Sequence, residues 1–106
     1  MAITNYQVLT NYDNPAFTAP AGSGTAVTVI YITNKTDGDG TIDIYAVPQA
    51  GSVGEPFKIY TELTIKARDT YILDTEKMIL GAGDKIFIEI PDSTGQIIAT
   101  ISTIGL

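Results

Sequence analysis

The sequence predicts an all-β fold, an immunoglobulin-like β-sandwich of about seven antiparallel strands preceded by an extended N-terminal arm. Three observations carry that reading. Ile, Val and Thr supply 36 of the 106 residues, and Ile outnumbers Leu sixteen to five, the bias of β-branched side chains that pack on pleated surfaces. Glycines stand in close pairs (Gly22 and Gly24, Gly38 and Gly40, Gly51 and Gly54, Gly81 and Gly83) or at a lone break (Gly95), with apolar runs between them, which is the punctuation of short strands and turns. Hydrophobic residues make 44% of the chain and charged ones only 17%, so the composition is that of a folding domain, and the length fits one.

Taken in order, Tyr6 to Thr10 is the first strand, and 11–24 is rich in Asn, Pro, Ala and Gly without periodicity. Residues 1–24 are therefore assigned to a strand plus arm, and 25–106 to the sandwich. Thr25 to Thr33 is almost wholly apolar, as expected for a central strand buried on both faces. Asn34 to Gly40 reads as a turn, because Asp and Gly tolerate positive φ, and it joins that strand in a hairpin to Thr41 to Val47, with Ile42, Ile44 and Ala46 on one face. After a loop at 48–56, Phe57, Ile59, Thr61, Leu63 and Ile65 alternate with more polar neighbours, the period of a half-exposed strand. Thr70 to Leu73 is a short strand. Asp74 to Leu80 offers an N-cap and one amphipathic helical turn closed by Gly81. Lys85 to Ile90 places Ile86, Ile88 and Ile90 inward, and Gln96 to Ile104 is the last strand.

The charge pattern excludes more than it selects. Six basic against twelve acidic residues leave a net charge of −6, and the basic residues Lys35, Lys58, Lys66, Arg68, Lys77 and Lys85 are scattered, so no nucleic-acid partner is expected. With no Cys and no His, disulfide staples, thiolate nucleophiles and the usual zinc ligands are gone, and the fold must rest on its core or on association with other chains. The start of the chain lacks the charged and apolar regions of a secretory signal, and the most apolar run, Ala26 to Ile32, is far shorter than the roughly 20 residues of a membrane helix. Synthesis in the cytoplasm and no membrane partner are expected.

Each motif that could carry chemistry has a plainer reading. Asp37-Gly38-Asp39-Gly40 contains the D-x-D-G fragment of calcium loops, but the closing Glu of such a loop is missing, and a hairpin turn is preferred to a cation site. Gly22-Ser23-Gly24 and Gly81-Ala82-Gly83 do not continue as phosphate-binding loops. Asp69, Asp74, Glu76 and Asp84 fall close together in sequence, yet a carboxylate pair for hydrolysis needs a cleft that a sandwich of this size hardly provides. Ser and Thr have no histidine base. No catalytic, cofactor-binding or metal-ligating residue is assigned, and no enzymatic activity is expected. In the arm, Tyr6, Val8, Tyr12 and Phe17 are the candidate contact residues, because apolar groups on an irregular segment need something to pack against, either a neighbouring subunit or the chain's own sandwich.

The succession Tyr31-Ile32-Thr33-Asn34, Ile42 to Pro48, Tyr71-Ile72-Leu73 and Leu80-Gly81-Ala82-Gly83-Asp84-Lys85-Ile86 resembles the small β-sandwich virion proteins of tailed bacteriophages. In that group a strand ending in Asn leads into a polar hairpin, and a Leu-x-x-Gly-Asp turn opens the penultimate strand. The resemblance covers residues 25–106 and leaves the first 24 outside. It implies a non-enzymatic structural role in the virion: a capsid decoration or cement protein that contacts the major capsid protein or other virion proteins and forms a homo-oligomer. The alternative it leaves open is a neck or tail accessory, or a receptor- or glycan-binding module, that uses the loops at 34–40, 48–56 and 91–95.

Overall fold

The computed structural model describes residues 2–7, 15–22, 24–74, 78–90 and 97–106. Among them nine strands are formed: β1 (Ala2–Gln7), β2 (Phe17–Thr18), β3 (Thr25–Asn34), β4 (Gly40–Val47), β5 (Lys58–Ile65), β6 (Thr70–Leu73), β7 (Met78–Leu80), β8 (Lys85–Glu89) and β9 (Ile97–Gly105), with one 3-10 turn at Glu55–Phe57 before β5. They build two antiparallel sheets. The five-stranded sheet runs β1-β9-β3-β6, with β7 also on β3, and the four-stranded sheet runs β2-β8-β4-β5. The all-β sandwich expected from the sequence is what the chain forms. No helix among the described residues is long and apolar enough to cross a membrane.

β3 is central, as its apolar sequence requires. One side pairs with β9 from Thr25 to Asn34; the other pairs with β7 over its first residues and with β6 over its last, so that β6 and β7 act as two halves of one interrupted edge strand. Counting those halves as one position, the order is that of a jelly roll, a double Greek key in which the chain passes between sheets at most connections. The strand order, which composition and periodicity leave open, thus differs from the ABED/CFG order of an immunoglobulin domain.

The filling between the sheets is mostly isoleucine. Ile30, Ile32, Ile97 and Ile101 from one sheet meet Ile42, Ile44, Ile65, Ile86, Ile88 and Ile90 from the other, all buried. At ~25 cal/mol per Å² of apolar area removed from water, each such side chain contributes ~1.5–3 kcal/mol, and this replaces the staples the chain lacks. The folded chain exposes 5737 Å², close to the roughly 5,700 Å² of an ordinary globular protein of this mass.

Four sequence expectations need correction. Asn34 to Gly40 does not close a hairpin, because β3 and β4 lie in different sheets; the turn is a corner between layers. The helical turn expected over 74–80 is replaced in its described part by β7, which takes the ladder positions opposite Thr25, Ala26 and Val27 that β6 leaves open. The strict alternation along β5 fails. Its pairing steps from Ile42–Leu63 to Ile44–Tyr60 and then to Tyr45–Lys58, so β5 carries one extra residue twice, and each such bulge turns the following side chains to the other face. Tyr60 consequently packs on the core while Ile59 is exposed. Lastly, β3 is buried on one face only, since Tyr31 on the other is 40% exposed.

The described parts of the first 24 residues belong to the sheets rather than to a detached arm. β1 pairs with β9, beginning at Ala2 instead of Tyr6, and β2 pairs with β8. Ala16 and Ala19 lie in the core, held by Ala16 N–H to Ile86 O (2.7 Å) and Ala19 N–H to Asp84 O (2.8 Å). Residues 8–10 of the expected first strand lie outside the described residues.

Candidate functional site

The five strands of the larger sheet, β1, β3, β6, β7 and β9, contain no Asp, Glu, Lys or Arg. The smaller sheet has Asp43, Lys58, Glu62, Lys85 and Glu89. One face of the charge-free sheet is core; the other is open. Paired residues in an antiparallel ladder share a face, so the register gives its rows. Asn5, Thr100, Tyr31 and Ile72 cross four strands in line, and Ile104, Ala26 and Ile79 form another row near the opposite end. Between them stand Ile3, Ser102 and Val29. Ile3, Ile72 and Ile79 are each more than half exposed, and Ile104 is 40% exposed.

Several hydroxyl and amide side chains of this face bond across strands. Thr100 Oγ1 donates to Asn5 Oδ1 (2.8 Å), Thr33 and Thr70 share a hydroxyl bond (3.1 Å), and Thr28 Oγ1 lies 3.1 Å from both the carbonyl oxygen and Oγ of Ser102. These bonds hold the rotamers in place, so the surface presents fixed methyl groups and one phenol.

The matching face of the four-stranded sheet is covered by the chain itself. Tyr45, Val47 and Phe87 form a second apolar cluster under Val53 and Phe57 from the 48–57 loop. Lys58 anchors this loop: Nζ sits 2.9 Å from Glu55 Oε1, 3.4 Å from Asp43 Oδ2, and 5.6 Å from the centre of the Tyr45 ring. The Glu55 carboxylate above all, with Asp43 behind it, holds the Lys58 ammonium above its ordinary pKa against the opposing pull of desolvation. Asp43 and Glu89 are ladder neighbours and both buried. Asp43 Oδ1 accepts the Glu62 N–H (2.7 Å), which fixes the bulge where Glu62 has φ 51°, and the Tyr45 hydroxyl donates to Glu89 Oε1 (3.1 Å). This carboxylate pair is not legible as a pair in the sequence, since only the register brings the two together.

No family description, curated protein or solved structure matches the chain.

Four of the acidic residues weighed for chemistry serve the turns. Asp37 Oδ1 binds Arg68 (2.7 Å to Nη2), and Asp39 Oδ1 accepts the Ala67 N–H (2.9 Å). Asp84 accepts the Gln49 and Gly81 N–H groups, one on each oxygen (2.9 and 2.8 Å), and Asp69 Oδ1 accepts the Thr70 N–H. Glu76 lies outside the described residues. Among the described residues no three acidic, His or Cys side chains group to hold a metal ion. A cavity of about 240 Å³ opens between β5 and the β6–β7 edge, lined by Val27, Ile30, Ile44, Ile59, Tyr60, Leu73 and Met78. Apart from Tyr60 its lining residues are apolar, and Ile59 from the bulged strand borders it.

Of the candidate contact residues, Phe17 is half-buried against the chain's own core, opposite Ile86. Tyr6 stands opposite Ala99 in the ladder. Val8 and Tyr12 lie outside the described residues. Sequence reading misses Tyr31, Ile72, Ile79 and Ile104 as a surface, although its signal is present: stretches 25–34, 70–73, 78–80 and 97–105 are free of charge, and only strand pairing shows that they share one sheet.

Proposed function

We propose that the chain is a non-enzymatic structural protein of a bacteriophage particle, a capsid decoration or cement protein that works by contact with virion proteins and with copies of itself. The observation that carries this reading is the charge-free open face. In a chain with 18 ionisable acidic and basic groups by sequence, 32 strand residues without one, 6, 10, 4, 3 and 9 in turn, leave a surface that can be desolvated without burying a charge, which is what a stable interface core needs. Exposed apolar side chains set among satisfied polar groups mark an interaction site. The jelly-roll order is also recurrent in capsid and lectin domains; that support is analogy of fold.

The resemblance of the Asn34 and Leu80-to-Lys85 motifs to small phage sandwich proteins supports the same role. Both motifs lie where the chain leaves the five-stranded sheet for the four-stranded one. The reading as a loop-tip recognition module has less behind it, because the 48–57 loop is spent covering Tyr45, Val47 and Phe87.

Deleting the first 20 residues is a poor test, since it strips β1 from β9 and takes Ala16 and Ala19 from the core. Cryo-microscopy of the particle that carries the chain is the direct one. The expected map has the sandwich on the shell with its charge-free face against a neighbour. Particles lacking its density, or carrying it with that face turned to solvent, overturn the proposal.

A further inference from the structure

We infer that the occupant of the charge-free face is a second copy of this chain, packed face to face about a two-fold axis. The inference rests on the reading of that face as a contact surface and goes beyond it by naming the partner. Charge is the first argument. An isologous contact sets each surface against itself, and on a chain of net charge −6 most such pairings would press carboxylates on carboxylates. The open face of the five-stranded sheet is the large surface on which this cost vanishes. Its hydroxyls and amides both donate and accept, and its methyl groups match other methyl groups, so it is complementary to itself.

Size is the second argument. Strands about 4.8 Å apart, rising about 3.3 Å per residue, give roughly 16 Å² of face for each residue. The 32 strand residues of this sheet therefore span roughly 500 Å² in projection, and two copies together reach the ~1,000 Å² at which an interface becomes specific. Two twisted sheets can stack at about 30° with side chains interdigitating, as in the sandwiches built from two such sheets. The third argument is β3 itself. Its sequence is apolar on both faces, the chain covers one, and Tyr31 with its row neighbour Ile72 remains on the other, 40% and 52% exposed.

Sedimentation equilibrium on the full chain from about 1 to 500 µM tests this, alongside Ile72→Glu and Ile104→Glu, two exposed positions where a charge leaves the core untouched. A dimer is expected for the native chain, with a dissociation constant that tightens as NaCl rises from about 50 to 500 mM because only long-range repulsion is screened. Each variant is expected to weaken it at least ten-fold while melting as the native chain does at concentrations low enough for both to be monomeric. A native chain that stays monomeric throughout, or variants that dimerise unchanged, overturns the inference. Variants that fail to join particles although the native chain is monomeric would assign the face to a shell protein, so that the inference falls and the proposed function stands. A native dimer found on no particle would do the opposite, leaving the inference intact and removing the proposed function.

Discussion

The side-chain amide of Asn34, at the end of β3, donates a hydrogen bond to the carbonyl oxygen of Ile65, at the end of β5, 3.0 Å away and buried between the sheets. The same amide donates to Gly38 O (2.9 Å), while its oxygen accepts from the Thr36 N–H (2.9 Å) and hydroxyl (2.7 Å). One residue thus closes the corner by which the chain changes layers and fastens it to the next corner, where Arg68 N–H reaches Thr36 O and Asn34 N–H reaches Asp69 O. Asn34→Ala leaves the buried Ile65 carbonyl without this donor, while Gly38 O keeps the Thr36 hydroxyl (2.8 Å), and the loss is expected to cost about 1–3 kcal/mol in urea unfolding. Asn34→Asp keeps the shape but sets an acceptor against both carbonyls, and should cost at least as much at neutral pH. Equal stability of all three proteins would show that the corner is held by other means.

The bulges of β5 predict a reversal of what the sequence pattern implies for two adjacent residues. Alternation makes Ile59 core and Tyr60 surface; the structure makes Tyr60 pack on the core and leaves Ile59 45% exposed. Tyr60→Ala is expected to lose about 2–4 kcal/mol and Ile59→Ala less than about 1 kcal/mol, with Ile44→Ala, fully buried opposite Tyr60, giving about 2–5 kcal/mol as a reference. Thermal or urea unfolding of the three variants decides it by their order.

Asn34 and the bulges of β5 mark where the sequence informs and where it stops. Residue type places β3, β4, β5, β6, β8 and β9 within a few positions, because β-branched runs between glycines have few alternatives. The inward trio Ile86, Ile88 and Ile90 follows from parity alone. Pairing is another matter. That Asn34 to Gly40 turns is written in its Asp and Gly residues, but whether the strands it joins share a sheet depends on what else competes for the edges of β3, and β9 arrives there from the far end of the chain. β7 is invisible for the same reason: Met78 to Leu80 has no strand pattern of its own and is recruited by open ladder positions on β3. The charge-free face is half legible. Its lack of charge can be read along the chain, but its being one surface cannot.

Gly83 supplies a test of backbone strain. It sits at φ +84°, in the turn that leads into β8, and its N–H donates to Ala19 O at 2.9 Å. An added Cβ would be strained by that φ and would also run into the side chain of Gln49. Gly83→Ala is expected to cost about 1–3 kcal/mol. Gln49 is exposed, so Gln49→Ala alone should change little, and in the double variant it should recover only the part due to the collision. The remainder, about 1 kcal/mol, measures the left-handed backbone together with the contact to the Gln49 Cβ that alanine keeps, 3.1 Å away; full recovery would mean that the turn relaxes freely.

The ion pairs of Lys58 predict a contribution to stability that is lost at high pH. With its pKa raised above the ordinary 10.5 by Glu55 and then Asp43, the folded chain binds the Lys58 proton more tightly than the unfolded chain does. The stabilisation is therefore complete below about 10.5 and is lost as pH climbs through the raised value. The comparison is between proteins rather than between pH values, so that contributions common to both cancel. Lys58→Met keeps the stem that packs near Tyr45 and removes the charge. The difference in melting temperature between native chain and variant is expected to be constant from about pH 7 to about 10 and to shrink above about 10.5, and protease cleavage within 48–57 should rise over the same interval in the native chain. A difference that persists unchanged at about pH 12 would mean that Lys58 contributes through packing alone.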